Sequence, residues 1–327
     1  MVKRKIDWET HIGRRLKLRD LYVFSTVVQC GSMAKAAAML GVAQPTVSEV
    51  IAGLEHTFGV RLLDRSPRGT EPTMYGDALL KRSIAAFDEL KQSSRDIEFL
   101  ADPTVGELRI GCVETLSATL VPQVLLRFSK QYPRVVVHLD DWTAPAVELP
   151  GLRERKYDLI MVRLVAPLTD EHLTDDLNVE CLFDDQLVVA AGMHNRWARR
   201  RKIDLAELIN EPWILAPPRT WNYSRLEEAF RARGLDMPKA SLVSVSVAVR
   251  TRLLANGEFI AALPSSVLSL NRAHYALKAL AVDLPNPPWP VVIVTLKNRM
   301  LSPVVERFIE CAREVAKSFA GPTRTRP

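Results

Sequence analysis

The sequence predicts a mixed fold, in which short helices, a hairpin and one long helix up to Leu100 precede a two-lobed α/β domain. Three observations point there. Apolar residues recur at helical spacing between Leu16 and Leu100. Beyond Gly106, short apolar runs alternate with helical stretches, the pattern of sheets flanked by helices. Between the two lies Ala101-Asp102-Pro103-Thr104-Val105-Gly106, whose proline and glycine break a helix.

A chain of 327 residues has room for two or more domains, and with 47% hydrophobic and 25% charged residues it can bury a core. The net charge of +6 suits an anionic partner, and part of it is concentrated: Met1 to Arg19 holds seven Lys/Arg against two Asp/Glu. Residues 1–15 are therefore expected to be a basic tail, which suits a DNA-binding neighbour and equally a plain solvated segment. Cys30, Cys112, Cys181 and Cys311 are scattered, without metal-ligand spacing or a disulfide framework. Their apolar neighbours make them core residues by default, with a redox role for Cys112 or Cys181 left open. No apolar run follows the basic start, and none approaches the roughly 18 residues of a membrane span, so the expected compartment is the cytoplasm. No cofactor or metal is expected.

Leu18, Leu21, Phe24, Val27 and Val28 stripe a first helix that ends at Gly31. Ser32 stands at the N-cap of a second, alanine-rich helix, Met33 to Leu40, and Gly41 closes it. Gln44-Pro45-Thr46-Val47-Ser48 opens a third, with proline in the first turn and Val47, Val50, Ile51 and Leu54 as its buried stripe. Three short helices with a tight turn between the second and third make a helix-turn-helix, whose third helix enters the DNA major groove N-terminus first. Gln44, Thr46 and Ser48 carry hydrogen-bonding groups there; solvation of an outer face explains the same residues equally. Val60 to Thr73, broken by Ser66-Pro67-Arg68-Gly69, predicts a hairpin wing that sets Arg65 and Arg68 beside phosphates.

Together, Ser32-x-x-x-Ala36-Ala37-x-x-Leu40, Gln44-Pro45-x-Val47-Ser48, Ile51-x-x-Leu54-Glu55, Gly59-Val60-x-Leu62-Leu63-x-Arg65 and Thr73-x-x-Gly76 resemble the LysR-type transcriptional regulators. Ala43, Glu49 and Leu63 depart from the usual pattern. The resemblance implies a winged helix-turn-helix over residues 16–75, contacting DNA through Ser32, Gln44, Pro45, Thr46, Ser48, Arg65 and Arg68. It also implies a dimerising linker helix and hinge over residues 76–103. That helix carries Leu80, Phe87, Leu90 and Ile97 on one heptad seam, with packing against its own domain as the alternative.

From Gly106 the expected strands are Leu108 to Val113, Val135 to Leu139 and Tyr157 to Arg163, with a helix from Leu116 to Tyr132 and another from about Ala146. A second set follows: strands at Gln186 to Ala191, Trp213 to Ala216, Leu242 to Val245 and Phe259 to Leu263, and helices near Arg225 to Arg233 and Val247 to Asn256. The chain then returns through a proline-rich stretch to a strand at Val291 to Leu296 and a last helix, Pro303 to Phe319. Such alternation predicts parallel sheets. It resembles the periplasmic-binding-protein-like effector domain of the LysR family, here expected over residues 104–320, with lobe I at 104–184 and 285–320 and lobe II at 185–284. Residues 321–327 are expected to be a tail.

Ligands in such sheets lie beyond the carboxyl ends of strands, where helix N-termini point. That rule selects Thr115, Ser117, Trp142, Thr143, Arg163, Arg219, Thr220 and Ser246 for a small organic acid or, with tryptophan walls, a sugar-type molecule. Glu114 at the same mouth counts against an anion. The basic run Arg196 to Lys202 is expected to be a solvated loop. The resemblance implies promoter DNA, an effector, a second copy (dimer or tetramer) and RNA polymerase as partners. A nucleoid-type DNA-binding protein and an enzyme using the two-lobed cleft are the alternatives. Against the enzyme, the sequence offers no phosphate loop, GxSxG elbow or metal-spaced His/Cys cluster.

Overall fold

The computed structural model describes residues 13–66, 69–142, 149, 151–164, 175–218, 220–269, 276–285 and 287–319. Two compact units divide the chain between Ser93 and Ser94.

In the first unit, helices α1 (Leu18–Cys30), α2 (Met33–Leu40) and α3 (Gln44–Phe58) precede the hairpin β1 (Leu63–Ser66) and β2 (Gly69–Pro72). Ser32 caps α2 by accepting from the Lys35 amide. Gly41 ends α2 at φ 65°, in the left-handed region that a Cβ disfavours. Pro45 lies in the first turn of α3, and Ala43 before it offers no side-chain cap. Phe24, Val27, Ala36, Val47, Ile51 and Leu62 fill the core, where alanines let α2 cross closely. Helix α4 (Met74–Ala101) runs through the division between the units.

Leu80 and Phe87, on the expected heptad seam, are half-buried. Both pack against the core of the first unit, Phe87 edge-on to Tyr22 at 5.8 Å. Leu90 and Ile97 stay exposed.

The second unit holds two five-stranded sheets. Lobe I comprises β3 (Val105–Val113), β4 (Arg134–Trp142), β5 (Leu159–Arg163), β6 (Leu177–Asp185) and β12 (Trp289–Leu296), in the order β4-β3-β5-β12-β6. Lobe II comprises β7 (Leu187–Gly192), β8 (Trp213–Leu215), β9 (Ala240–Val243), β10 (Ile260–Pro264) and β11 (Leu277–Ala279), in the order β11-β7-β10-β8-β9. The chain crosses between lobes at Gln186 and again between β11 and β12. A one-turn helix α5 (Glu114–Ser117) and helices α6 (Leu120–Gln131), α7 (Trp221–Arg231), α8 (Val247–Ala255) and α9 (Pro303–Ala316) belong to the same unit. In lobe I, α6 and α9 cover one sheet face through Val124, Phe128, Val305 and Phe308.

Several expectations need correction. Both sheets are mixed: β12 runs antiparallel to β5 and β6, and β7 antiparallel to β10 and β11. The two crossings bring the chain back in the reverse direction, which simple alternation does not reveal. Strands β6 and β11 are additional to those expected; exposed Asn178, Cys181 and Asp184 dilute the apolar signal of β6. The helix expected from Leu116 is broken at Ala118 and Thr119, whose hydroxyl donates back to the Thr115 carbonyl. The basic side chains of Arg196 to Lys202 are exposed as expected, but Arg196–Arg199 forms a 3₁₀ turn in which Trp197 is buried, with the guanidinium groups of Arg196 and Arg200 within 5.4 Å of its ring. Cys181 is exposed, unlike buried Cys112 and Cys311. Burial pushes the Cys112 thiol far up, and burial with Asp184 raises that of Cys181, so neither favours thiolate. The segment expected to be helical from Ala146 begins outside the described residues.

Candidate functional site

The first candidate surface is the start of α3. Its first turn has no side-chain cap, because Ala43 before it carries no hydrogen-bonding side chain. Gln44 and Pro45 are exposed, and Thr46 and Ser48 half-buried, because Val47 alone in this turn faces the core. Arg65 is exposed on β1. Gln44, Thr46, Ser48 and Arg65 form no side-chain hydrogen bond or ion pair with any described residue. Ser32 is occupied as the cap of α2. Arg68 lies outside the described residues.

The second candidate site lies where the lobes meet, and there the polar groups are already engaged with one another. Arg163, the last residue of β5, is 4% exposed and Asp185 fully buried. The Arg163 guanidinium donates to Asp185 Oδ2 from Nη2 at 2.8 Å and Nε at 3.3 Å, to the Ser266 hydroxyl in lobe II at 3.2 Å, and to the Thr115 hydroxyl oxygen. Asp185 also accepts from the hydroxyls of Ser265 (2.8 Å) and Ser266 (2.6 Å) and from the Gln186 amide (2.9 Å). Burial raises the Asp185 carboxyl, but Arg163 and the two serine hydroxyls outweigh it and hold the pKa below the usual carboxylate range.

A second bridge joins the lobes. Glu114 Oε1 accepts from the Val247 amide, at the start of α8, at 2.8 Å. Burial raises the Glu114 carboxyl against that amide's opposite pull. Beneath it, Arg250 in α8 is almost wholly buried and donates to the Ala262 carbonyl; desolvation lowers it to about 10.

The remaining expected residues divide. The Ser117 hydroxyl is within reach of the Glu114 carbonyl (2.9 Å) and Asp141 Oδ2 (3.2 Å). Thr220 donates to the Pro217 carbonyl at 2.6 Å, and Ser246 caps α8 by accepting from the Val249 amide at 3.4 Å. The structure thus brings Thr115, Ser117 and Arg163 into one neighbourhood and spends Thr220 and Ser246 on their own backbone. Trp142 closes β4, but its side chain, Thr143 and Arg219 lie outside the described residues. Trp221, beside Thr220, instead supplies a wall, its ring 5.8 Å from the Arg163 guanidinium.

Sequence reasoning missed Asp185, Ser265, Ser266 and Arg250. Ser265 and Ser266 had a signal: they follow the carboxyl end of β10, where the strand-end rule points. Asp185 had none, because its partner is distant in sequence. Among the described residues, no cluster of His, Cys, Asp or Glu could hold a metal ion, and no single helix is long and apolar enough to cross a membrane.

Residues 18–77 match the family model for the bacterial regulatory helix-turn-helix protein of the lysR family, and residues 101–317 match that for the LysR substrate binding domain. The chain is 26% identical over 298 residues to the HTH-type transcriptional regulator TdcA of Escherichia coli strain K12, covering 91% of this chain and 93% of TdcA. A full-length OxyR variant from Pseudomonas aeruginosa has a similar fold, with TM-score 0.61, 21% identity, and 95% and 99% of the two chains covered. So does full-length CbnR in complex with its target DNA, with TM-score 0.50, 22% identity and coverage of 92% and 100%. The chain belongs to the LysR family of bacterial transcriptional regulators, a DNA-binding helix-turn-helix joined to a substrate-binding domain.

Proposed function

We propose that this regulator binds promoter DNA through the outward face of early α3 and the wing, and that a small molecule held between its lobes alters that binding. The observation that carries this reading is the contrast at the two sites. The α3 residues Gln44, Thr46 and Ser48 have no side-chain partners among the described residues, whereas Thr115, Arg163, Asp185 and Ser266 form one network across the lobes. A ligand that hydrogen-bonds at Thr115 must compete with Arg163, and so favours one relative placement of the lobes over another. Only that difference in affinity can shift the population.

A hydroxylated, sugar-type effector fits better than a small organic acid. Asp185 already neutralises Arg163, and Glu114 already takes the Val247 amide. Gln44 is assigned a base edge, Thr46 and Ser48 a base or phosphate, and Arg65 and Arg68 the phosphates; Ser32 and Pro45 set the start of their helices. We assign the winged unit to residues 16–75, the linker to 76–103 and the effector domain to 104–320. The chain acts in the cytoplasm as a dimer or tetramer, with exposed Leu90 and Ile97 on the self-associating face, and does no catalysis of its own.

The test is to sequence the genomic fragments that the protein retains at a stated salt concentration, with and without a metabolite mixture. Short, roughly palindromic sites whose footprint changes with metabolite are expected. Uniform retention of all fragments moves the nucleoid-type reading ahead.

A further inference from the structure

We propose that Glu55 is a positioning residue for DNA binding, which locks the base of the wing to the recognition helix and so sets where Arg65 meets the phosphates. The inference rests on the assignment of Arg65 as a phosphate contact. Glu55 lies one turn before the end of α3 and faces the chain that returns toward β1. Its Oε1 accepts from the backbone amides of both Leu62, at 2.8 Å, and Leu63, at 3.2 Å. The two leucine side chains are buried, at 1% and 3% exposure, so their amides enter the fold with little access to water. Buried amides without partners are costly, and one carboxylate satisfies two of them with charge-assisted bonds.

The rest of the hairpin is held from other directions. The Thr73 hydroxyl donates to the Arg61 carbonyl at 2.8 Å and accepts from the Gly76 amide at 3.1 Å, while the Thr73 amide donates to the Leu62 carbonyl at 2.9 Å. The Thr70 amide donates to the Gly31 carbonyl at 2.9 Å. Those bonds tie the wing to the start of α4 and to the turn between α1 and α2. Glu55 supplies the tie to α3 itself. Three residues beyond the amides it holds, counting from Leu62, stands Arg65, exposed on β1. A change at Glu55 therefore reaches DNA through the wing and leaves Gln44, at the opposite end of α3, where it was.

The experiment uses the full chain and a fluorescein-labelled duplex of mixed sequence, with affinity measured across a salt series. Each phosphate contact adds about 0.9 to the slope of log K against log salt. Arg65→Ala is expected to reduce the slope by about that amount. Glu55→Ala and Glu55→Asp, the latter charged but one methylene too short, are expected to reduce it similarly. Glu55→Gln, which keeps the length and an acceptor oxygen, is expected to restore most of it. The double change Glu55→Ala with Arg65→Ala is expected to cost little more than Arg65→Ala alone. A normal slope in Glu55→Asp beside a reduced one in Arg65→Ala overturns the role of Glu55, as does full additivity in the double variant. A normal slope in Arg65→Ala overturns the underlying phosphate contact, and the proposal with it. Thermal unfolding of Glu55→Gln and Glu55→Asp separates this from a failure to fold.

Discussion

The two halves of the chain treat their polar residues in opposite ways. In the helix-turn-helix, a core of Phe24, Val47 and Ile51 is fixed by caps and tight turns, and the candidate DNA contacts on α3 and β1 stand outside it without bonds to the described fold. In the two-lobed domain, the candidate ligand contacts are bonds of the fold: Thr115 to Arg163, Arg163 to Asp185, Ser246 to its own helix. A rigid reader can recognise DNA without rearranging. A sensor whose ligand must displace existing bonds changes the fold's own energetics when it binds. The difference assigns recognition to the first half and switching to the second.

Arg163→Ala would break this contrast most severely. Removing one partner of a buried ion pair strands the other charge, at a cost of about 3–5 kcal/mol, read by denaturant unfolding of the second unit. The effect has a pH signature. The Asp185 carboxyl is held below its unfolded value, near 3.9, so its contribution is complete above that pH and lost as pH falls through the lower folded value. Asp185→Asn should flatten that acid limb.

Gly76→Ala tests the rigidity of the reader. A Cβ at Gly76 would stand 2.1 Å from the Leu62 carbonyl oxygen, a backbone atom that cannot step aside alone. About 1–3 kcal/mol of destabilisation is expected in thermal unfolding of the first unit. Gln44→Ala sharpens the contrast from the other side. It should lose about 1–3 kcal/mol of discrimination at one base pair in competition binding. Its stability should stay within about 0.5 kcal/mol of the parent, since no described bond of the fold depends on that side chain. Ser32→Ala is the smallest change. Its capping bond is long, at 3.5 Å, so a loss near 0.5 kcal/mol is expected.

The same contrast explains what could be read from the sequence. The helices of the first unit follow from local signals: Ser32 before Met33, Gly41 after Leu40, Pro45 in a first turn. Each involves neighbours within a few residues. The network between the lobes does not. Arg163, Asp185 and Ser266 meet only because β5, β6 and β10 end close together, and no periodicity records that. Strand order fails for the same reason: β12 inserts between β5 and β6 only after the chain has built the whole of lobe II. The linker heptad is ambiguous in a different way. Leu80 and Phe87 have the spacing of a dimer seam, but spacing cannot tell a second chain from a nearby core.

Strand β6 has one more consequence. Among the described residues it is the outer strand of its sheet, and an outer strand offers unpaired backbone groups to any other strand it meets in a crowded cell. Val179 is 39% exposed there, and Cys181 is exposed too. Between them, Glu180 is clasped bidentately by Arg313 of α9, setting an ion pair beside this strand. Charge on an outer strand disfavours pairing with another strand. Glu180→Val would leave an uncharged run along the border and turn a protected edge into a template for aggregation.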